Sequence, residues 1–203
     1  MNDFIIVIGR QYGAGGRRLG KKLAEVLDVP YYDKELLSEA ADSLGFSKEL
    51  FQKADERKPS VLRSFLSFNY GSTSAAFSSY TLSDDNLYCA QCKVIRSICE
   101  KGSCVIVGRT ADYVMREHPG MLSVFIHAPE ELRARAVVER GEAVSDDEAL
   151  EKLRKCDRER ESYYNYFTNR HWGKADNYDL TFNSARLPLD SILPIILKAV
   201  RRD

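Results

Sequence analysis

The sequence predicts a doubly wound α/β fold, in which a parallel sheet lies between two layers of helices. Two observations indicate this fold. The strand candidates are apolar runs without polar alternation, a pattern typical of parallel strands covered on both faces. Helical patterns separate these runs along the chain. At 203 residues, the chain is long enough for one such domain with a sizeable core.

The order of the elements follows from these patterns. The predicted strands are residues 4–8, 29–32, 104–107, 122–127 and 178–182, and the predicted helices are 14–27, 33–44, 83–101, 129–140, 145–160 and 189–200. Ser83 suits an N-cap and Pro129 a first helical turn. Ser145 and Glu148 form a capping box. Pro194 predicts a delayed start or a kink in the last helix.

Charge and hydropathy argue against several classes of protein. Lys plus Arg and Asp plus Glu number 30 each, so the net charge does not indicate a nucleic-acid or membrane surface. No apolar stretch is long enough to span a bilayer, and the N-terminus does not resemble a signal peptide. We therefore expect a cytoplasmic protein with small-molecule partners, and neither nucleic acid nor membrane among them.

Cysteine and histidine usage gives little sign of a metal site. Five cysteines, an odd count, favour reduced thiols in the cytosol. Cys89 and Cys92 have the spacing of a zinc or redox pair, but they lie in a helical pattern without a second pair, which favours ordinary helix residues. The three histidines are spread along the chain and do not suggest a metal site.

A glycine-rich loop between the first strand and the first helix is the most informative feature. Three glycines occur within four residues, flanked by arginines, in the series Arg10, Gly13, Ala14, Gly15, Gly16, Arg17 and Arg18. Glycines allow the backbone to approach a phosphate, and the first helical N–H groups point toward it. The loop therefore predicts an anion-binding site.

Two alignments with the usual phosphate loop, which ends in Gly-Lys-Ser or Gly-Lys-Thr, remain open. If Gly15 is its last glycine, Arg10 replaces the first glycine. Gly16 then replaces the lysine and Arg17 the hydroxyl residue. If Gly16 is the last glycine, Arg17 and Arg18 replace lysine and hydroxyl. Arginine neutralises phosphate but cannot ligate Mg²⁺, so the metal would need water or a carboxylate from elsewhere.

Two further strand ends carry charged residues. Asp33 follows the second strand, where it suits either hydrogen bonding to a ligand hydroxyl or an N-cap. Arg109 follows the third strand, where it would point into the ligand crevice and meet a phosphate. The alternative for Arg109 is an ion pair with Asp112.

A basic segment extends from Arg133 to Arg160 across two predicted helices. These helices could close over transferred phosphates, or they could form a solvated hairpin whose charges pair with neighbouring glutamates. Residues 58–82 are rich in Ser, Phe and Tyr without a clear period. They indicate either a ligand-binding or partner-binding insertion, including contact with a second copy of the chain, or a long surface loop.

Together these segments resemble the cytidylate kinase-like family of P-loop nucleoside monophosphate kinases. The resemblance covers residues 8–17, 30–37, 105–113, 128–135, 157–160 and 172–180, in the family's order. It implies a three-layer P-loop kinase fold with a five-stranded parallel sheet. It also implies a nucleotide-monophosphate-binding insertion at about residues 33–100 and a lid at about 139–160.

The resemblance also implies roles for individual residues. Arg10, Gly13, Ala14, Gly15, Gly16, Arg17 and Arg18 would bind ATP, and Arg17, Arg109, Arg158 and Arg160 would be catalytic. The acceptor would contact Asp33, Lys34, Arg109 and Asp157. Family members carry Gly-Arg-Asp where this chain has Gly108, Arg109 and Thr110. The register of the lid residues is open by one or two positions.

The function expected from this resemblance is ATP- and Mg²⁺-dependent phosphoryl transfer to a nucleoside monophosphate similar to CMP or dCMP, or to a similar small phosphorylated acceptor. The alternative is a nucleotide-binding sensor or regulatory protein with little or no turnover, because the lysine and the hydroxyl residue of the loop are replaced.

Overall fold

The computed structural model describes residues 3–33 and 84–201. Its strands are β1 (Ile5–Arg10), β2 (Tyr31–Tyr32), β3 (Cys104–Val107), β4 (Met121–His127) and β5 (Leu180–Asn183). Its helices are α1 (Gly16–Leu27), α2 (Asp84–Cys99), α3 (Ala111–Val114), α4 (Glu130–Glu139), α5 (Asp146–Thr168) and α6 (Leu189–Arg201), with a 3₁₀ turn at Ala175–Asn177.

All five strands are parallel, in the order β2-β3-β1-β4-β5. The central strand β1 pairs Ile5 with Cys104 on one side and with Met121 on the other. After β1 the chain crosses to the edge strand β2 and then returns to β3, which lies beside β1. From β3 it crosses to the other side of β1, where β4 and β5 follow. A ligand crevice is expected where this direction changes, at the carboxyl ends of β1 and β3.

The sheet is buried on both faces, which confirms the doubly wound prediction. Alternate residues of β1 face opposite layers: Ile6 and Ile8 lie in a cluster with α1 and α6, whereas Ile5 and Val7 lie in a cluster with α2 and α3. Covering both faces excludes water from the strands, and this explains their continuous apolar runs. A third apolar cluster joins α4 and α5.

The bounds of several strands differ from those predicted, and one short helix had not been predicted. β1 continues to Arg10, two residues beyond the apolar run, because it pairs with β4 as far as Ile126. β2 is only two residues long, and β5 begins later than predicted. The four-residue α3 was not predicted, since it is too short to show a helical period.

Helix ends agree only in part with the capping predictions, and Ser83 lies outside the described residues. The Ser145 hydroxyl accepts a hydrogen bond from the Glu148 amide at 3.2 Å, but the Glu148 carboxylate accepts from the Val144 amide instead of completing the capping box. α6 starts at Leu189 without the delay predicted from Pro194. Its first turn closes before Pro194, because the Pro188 carbonyl accepts from the amide of Ile192.

The predicted boundaries of the insertion, 33–100, and of the lid, 139–160, remain predictions. The helix predicted for residues 33–44, Lys34 and the Phe/Tyr-rich segment 58–82 lie outside the described residues. The predicted lid corresponds to the end of α4, the connecting turn and the first two-thirds of α5, and α5 continues to Thr168.

Candidate active site

A cavity of about 990 Å³ lies at the carboxyl ends of β1 and β3. Its lining comes from four parts of the chain: the glycine-rich loop, the ends of β2 and β3, the α4–α5 hairpin and the loop before α6. Nine of the described residues that line it are basic, namely Arg10, Arg17, Arg18, Lys21, Arg109, Arg133, Arg140, Lys152 and Arg160. The cavity is therefore suited to an anionic ligand.

The glycine-rich loop has the backbone geometry that a phosphate loop needs. Gly13 and Gly15 have left-handed backbones, with φ of 82° and 87°, which favour glycine. A Cβ at Gly13 would lie 2.9 Å from Arg133 Cβ, so no side chain fits there. Gly15 is the N-cap of α1 and Gly16 is its first helical residue. This geometry favours the alignment in which Gly15 is the last glycine and Gly16 takes the lysine position.

Arg17 and Asp33 form an ion pair at one side of the loop. Arg17 donates from Nε and Nη2 to Asp33 Oδ2 at 2.9 and 2.7 Å, and the Tyr31 hydroxyl donates to the same oxygen. Asp33 is buried, whereas more than half of the Arg17 side chain is exposed. Burial, together with the Asp33 charge, raises the pKa of Tyr31 to about 12. The predicted roles of Arg17 toward ATP and of Asp33 toward the acceptor remain predictions.

Arg10 extends from the end of β1 across the first turn of α1 to the end of β3. A Cβ at Gly16 would lie 2.7 Å from Arg10 Cβ, and one at Gly108 would overlap Nη1 of Arg10. Burial lowers the pKa of Arg10, and the positive charges of Arg160, Arg109 and Arg17 lower it further. Three guanidinium groups therefore lie close enough to Arg10 to disfavour its charge.

The turn after β3 has an unusual backbone. Gly108, Arg109 and Thr110 have successive positive φ angles of 80°, 65° and 52°. Left-handed backbone is unfavourable for residues other than glycine, above all for a β-branched one. Such strain is held where the surrounding structure requires it, often at a functional site. Here it brings Arg109 to the cavity.

Contacts from α2 hold this turn. Gln91 Nε2 donates to the Arg109 carbonyl at 3.1 Å and to the Tyr163 hydroxyl at 2.9 Å, and Arg109 Nη1 donates to Gln91 Oε1 at 3.4 Å. The alternative ion pair of Arg109 with Asp112 is not formed. Asp112 instead accepts a hydrogen bond from the Tyr164 hydroxyl at 2.7 Å.

Asp157 joins the glycine-rich loop to the helical hairpin. Its Oδ1 accepts from the Tyr12 amide at 2.7 Å, and its Oδ2 accepts from Arg133 Nη1 at 2.6 Å. Arg133 is buried and also donates to the carbonyls of Tyr12 and Ala128. In the structure this carboxylate holds the loop against α5. The predicted contact of Asp157 with the acceptor remains a prediction.

Arg160 and Arg158 differ in position although both belong to α5. Arg160 lines the cavity, donates to the Arg10 carbonyl at 3.3 Å, and lies 5.4 Å from the centre of the Tyr12 ring. Arg158 is exposed and is not among the described residues that line the cavity. Its predicted catalytic role remains a prediction without support from this geometry.

Three residues of the site had no signal in the sequence. Gln91 and Tyr12 are ordinary residues of a helix and a loop, and Arg133 is one of many charges in a basic segment. Their importance comes from contacts with residues 18, 145 and 24 positions away in the chain. Arg133 differs from the other arginines of this basic segment in being buried, and the local sequence pattern does not show which arginine is buried.

The described residues do not fit a directly ligated magnesium ion. Arg17 stands where the usual loop has a hydroxyl ligand, and the Asp33 carboxylate is paired with it. No group of three or more His, Cys, Asp or Glu side chains within residues 3–33 and 84–201 could hold a metal. Cys89 and Cys92 are free thiols on α2. No described helix is long and apolar enough to cross a bilayer.

Comparison with known proteins supports the fold and the family. A cytidylate kinase of Methanosarcina barkeri (strain Fusaro / DSM 804) is 29% identical over 191 residues, which cover 93% of this chain and 91% of that protein. The crystal structure of an uncharacterized protein from Eubacterium ventriosum ATCC 27560 has a TM-score of 0.73 and 28% identity, covering 98% of this chain and 99% of that one.

More distant structures share the fold alone. Shikimate kinase from Bacteroides thetaiotaomicron has a TM-score of 0.54 at 15% identity, with 98% of each chain covered. A gluconokinase from Sinorhizobium meliloti 1021 has a TM-score of 0.54 at 16% identity, covering 98% of this chain and 93% of that one. These similarities confirm the three-layer P-loop kinase fold. Residues 5–186 match the cytidylate kinase-like family, and the chain therefore belongs to that family.

Proposed function

We propose that the protein transfers the γ-phosphoryl group of ATP to the phosphate of a nucleoside monophosphate, CMP or dCMP, or of a similar small phosphorylated acceptor. Membership of a kinase family supports nucleotide-dependent phosphoryl transfer. The observation that carries the proposal is that the glycine-rich loop and the guanidinium groups of Arg10, Arg109 and Arg160 converge on one cavity.

The donor side is the glycine-rich loop. Backbone amides of Gly13, Ala14, Gly15 and Gly16 would surround the ATP phosphates, at the positive end of the α1 dipole. Arg17 and Arg18 line the same side of the cavity and add positive charge. This arrangement needs a loop of fixed shape, and the bond from the Tyr12 amide to Asp157 supports one.

The acceptor side is the strained turn after β3. Arg109 would bind the acceptor phosphate with two parallel N–H groups, a geometry that suits phosphate. Gln91 orients this side chain from α2. Asp33 also lines the cavity, and Asp33 and Lys34 are proposed to contact the rest of the acceptor.

The chemistry proposed is positioning and charge neutralisation. Donor and acceptor phosphates would lie in line between the loop and Arg109, and Arg160 would offset charge on the transferred group. ATP is used by this kind of kinase together with Mg²⁺, which neutralises phosphate charge when bound. The chain's own part is to hold both phosphates and to exclude water with the α4–α5 hairpin.

The α5 arginines provide a direct test of this assignment. We expect Arg160→Met to lower kcat about 100-fold, since it removes a donor that faces the cavity. Arg158→Met is expected to change kcat less than about threefold, because that side chain is exposed. Steady-state kinetics of the two variants distinguish them. A larger loss in Arg158→Met would show that the lid register is shifted.

The reaction itself is tested by coupled ADP release with a panel of acceptors: CMP, dCMP, UMP, AMP and other small phosphates. Turnover with a pyrimidine monophosphate well above the ATP hydrolysis rate without acceptor is the expected result. ATP binding without turnover on any of these acceptors would contradict it.

A second candidate function is nucleotide binding without useful turnover. The observation that favours it is the Arg17–Asp33 ion pair, which occupies the hydroxyl position of the loop and leaves Mg²⁺ without a protein ligand there. This candidate predicts ATP affinity similar to that of active kinases, with no phosphoryl transfer to any acceptor of the panel.

A further inference from the structure

We propose that Arg10 supplies the phosphate-binding cation that the lysine of the usual phosphate loop supplies, from the end of β1 instead of the first turn of α1. This inference rests on the proposed function, because it takes ATP as the ligand of the loop. It assigns the role to a different residue from Arg17, which the sequence suggested as one substitute.

The Arg10 side chain packs closely against Gly16 at the start of α1. Gly16 takes the lysine position when Gly15, the left-handed N-cap of α1, is the last glycine of the motif. A Cβ at Gly16 would lie 2.7 Å from Arg10 Cβ and 3.0 Å from its Cγ. The side-chain stem of Arg10 therefore fills the space through which a lysine at position 16 would leave the helix.

The guanidinium group of Arg10 lies against Gly108, in the turn after β3. A Cβ at Gly108 would overlap Nη1 of Arg10, so the absence of a side chain at Gly108 leaves room for the guanidinium group. The side chain thus runs from the first-glycine position, past the start of α1, to the turn that holds Arg109. This path places its charge between the proposed donor loop and the proposed acceptor arginine.

The charged groups that act on Arg10 are mostly other arginines. Arg160, Arg109 and Arg17 all act on Arg10 with the same sign. Within residues 3–33 and 84–201, the carboxylate of Asp33 pairs with Arg17 and that of Asp157 with Arg133 and Arg160, and none of the ion pairs includes Arg10. A cation among cations, beside a cavity, is unfavourable until an anion of several charges enters. The triphosphate of ATP is such an anion.

The test exchanges the two positions. Arg10→Gly removes the cation and restores the first glycine, and Gly16→Lys adds a lysine against the Arg10 stem. The double variant restores the first glycine and the lysine of the usual motif, while Arg17 stays at the hydroxyl position. Calorimetry with ATP and Mg²⁺ is expected to show about 100-fold weaker binding for Arg10→Gly. Gly16→Lys alone should also weaken binding, because Arg10 Cβ blocks its side chain. The double variant should bind within about tenfold of wild type.

Two results would overturn the inference: wild-type affinity in Arg10→Gly, or a double variant that binds no more tightly than Arg10→Gly. Arg10→Met tests it independently of helix packing at position 16. We expect its ligand-free unfolding temperature to equal or exceed that of wild type, since repulsion is removed, while its shift with ATP falls by more than half. An unchanged ATP shift would contradict the inference.

The outcomes separate this inference from the proposed function. If wild type gives no heat with ATP, both fail. If wild type binds ATP and Arg10→Gly binds it equally well, the assignment to Arg10 fails and the proposed function stands.

Discussion

Asp112 is a buried carboxyl group directly after the turn that holds Arg109. Burial raises its pKa from 3.8 to about 6, against the lowering effects of the Tyr164 hydrogen bond and the Arg170 charge. The folded chain therefore binds more protons than the unfolded chain between about pH 4 and pH 6. Because of this difference, Asp112 lowers the free energy of unfolding as the pH rises through that range.

We predict that Asp112→Asn removes a loss of stability of about 2 kcal/mol that the wild type shows between pH 4 and pH 7. The asparagine oxygen still accepts the Tyr164 hydrogen bond but carries no charge. Urea unfolding at both pH values measures the change. Glu117→Gln, at an exposed carboxylate, is the matched control. Equal pH dependence in wild type and Asp112→Asn would contradict the prediction.

Arg109 is predicted to act through its planar guanidinium group and not through charge alone. Arg109→Lys keeps the charge but loses the paired N–H groups and the Gln91 contact. We expect the KM for the acceptor to rise about tenfold or more, with the KM for ATP nearly unchanged. Arg135→Lys, on the exposed face of α4, is the control. A parallel rise in both KM values would place Arg109 on the donor side instead.

At the scale of elements, α4 and α5 are joined by two ion pairs of different burial. Arg133 and Asp157 are mostly buried, whereas Arg154 and Glu130 are exposed. We predict that Asp157→Asn lowers the free energy of unfolding by about 3 kcal/mol, because it leaves a buried guanidinium group without its counter-charge. Glu130→Gln should lower it by less than about 1 kcal/mol.

Chemical denaturation measures both effects, and a double variant identifies their cause. Asp157→Asn combined with Arg133→Met should regain at least half of the loss, since no unpaired charge remains. If the double variant is as unstable as the sum of its single variants, the loss comes from the loop contact to Tyr12 and not from the ion pair.

The elements that could be predicted from sequence are those whose signals are local. The run of residues 104–107 is apolar throughout, and β3 has the bounds predicted for it. Ser145 caps α5 through a hydroxyl group three residues from its donor. The two-residue β2 could not be predicted so well, because its length depends on pairing with β3, which is distant in sequence.

At the scale of the whole molecule, a cavity lined by cations predicts stabilisation by phosphate-bearing ligands. ATP at about 100 times its Kd adds about 2.7 kcal/mol to the free energy of unfolding. For a chain of this size, this raises the unfolding temperature by about 5–10 °C. Thermal unfolding with ATP, and with adenosine as the control, measures the effect. A similar shift with adenosine would show that the base, and not the phosphates, supplies the binding energy.

The sequence predicted the parts of the site but not how they are joined. The glycine-rich loop and Arg109 follow strands directly, so the topology alone brings them to one edge of the sheet. The choice between Arg158 and Arg160 depends on the rotation of α5, which is set by tertiary contacts of Asp157 with the Tyr12 amide and of Arg160 with the Tyr12 ring. For the same reason the burial of Arg133 and the path of Arg10 could not be derived from local patterns.

The close approach of Arg10 to Gly16 also limits how such a chain can change over generations. If Gly16 is replaced by lysine first, the new side chain clashes with the Arg10 stem. If Arg10 is replaced first, the loop lacks its proposed cation. Either order passes through a weakened intermediate, so the two positions are expected to change together. Homologous loops should therefore carry one arrangement or the other, and a mixture of the two in one chain should be rare.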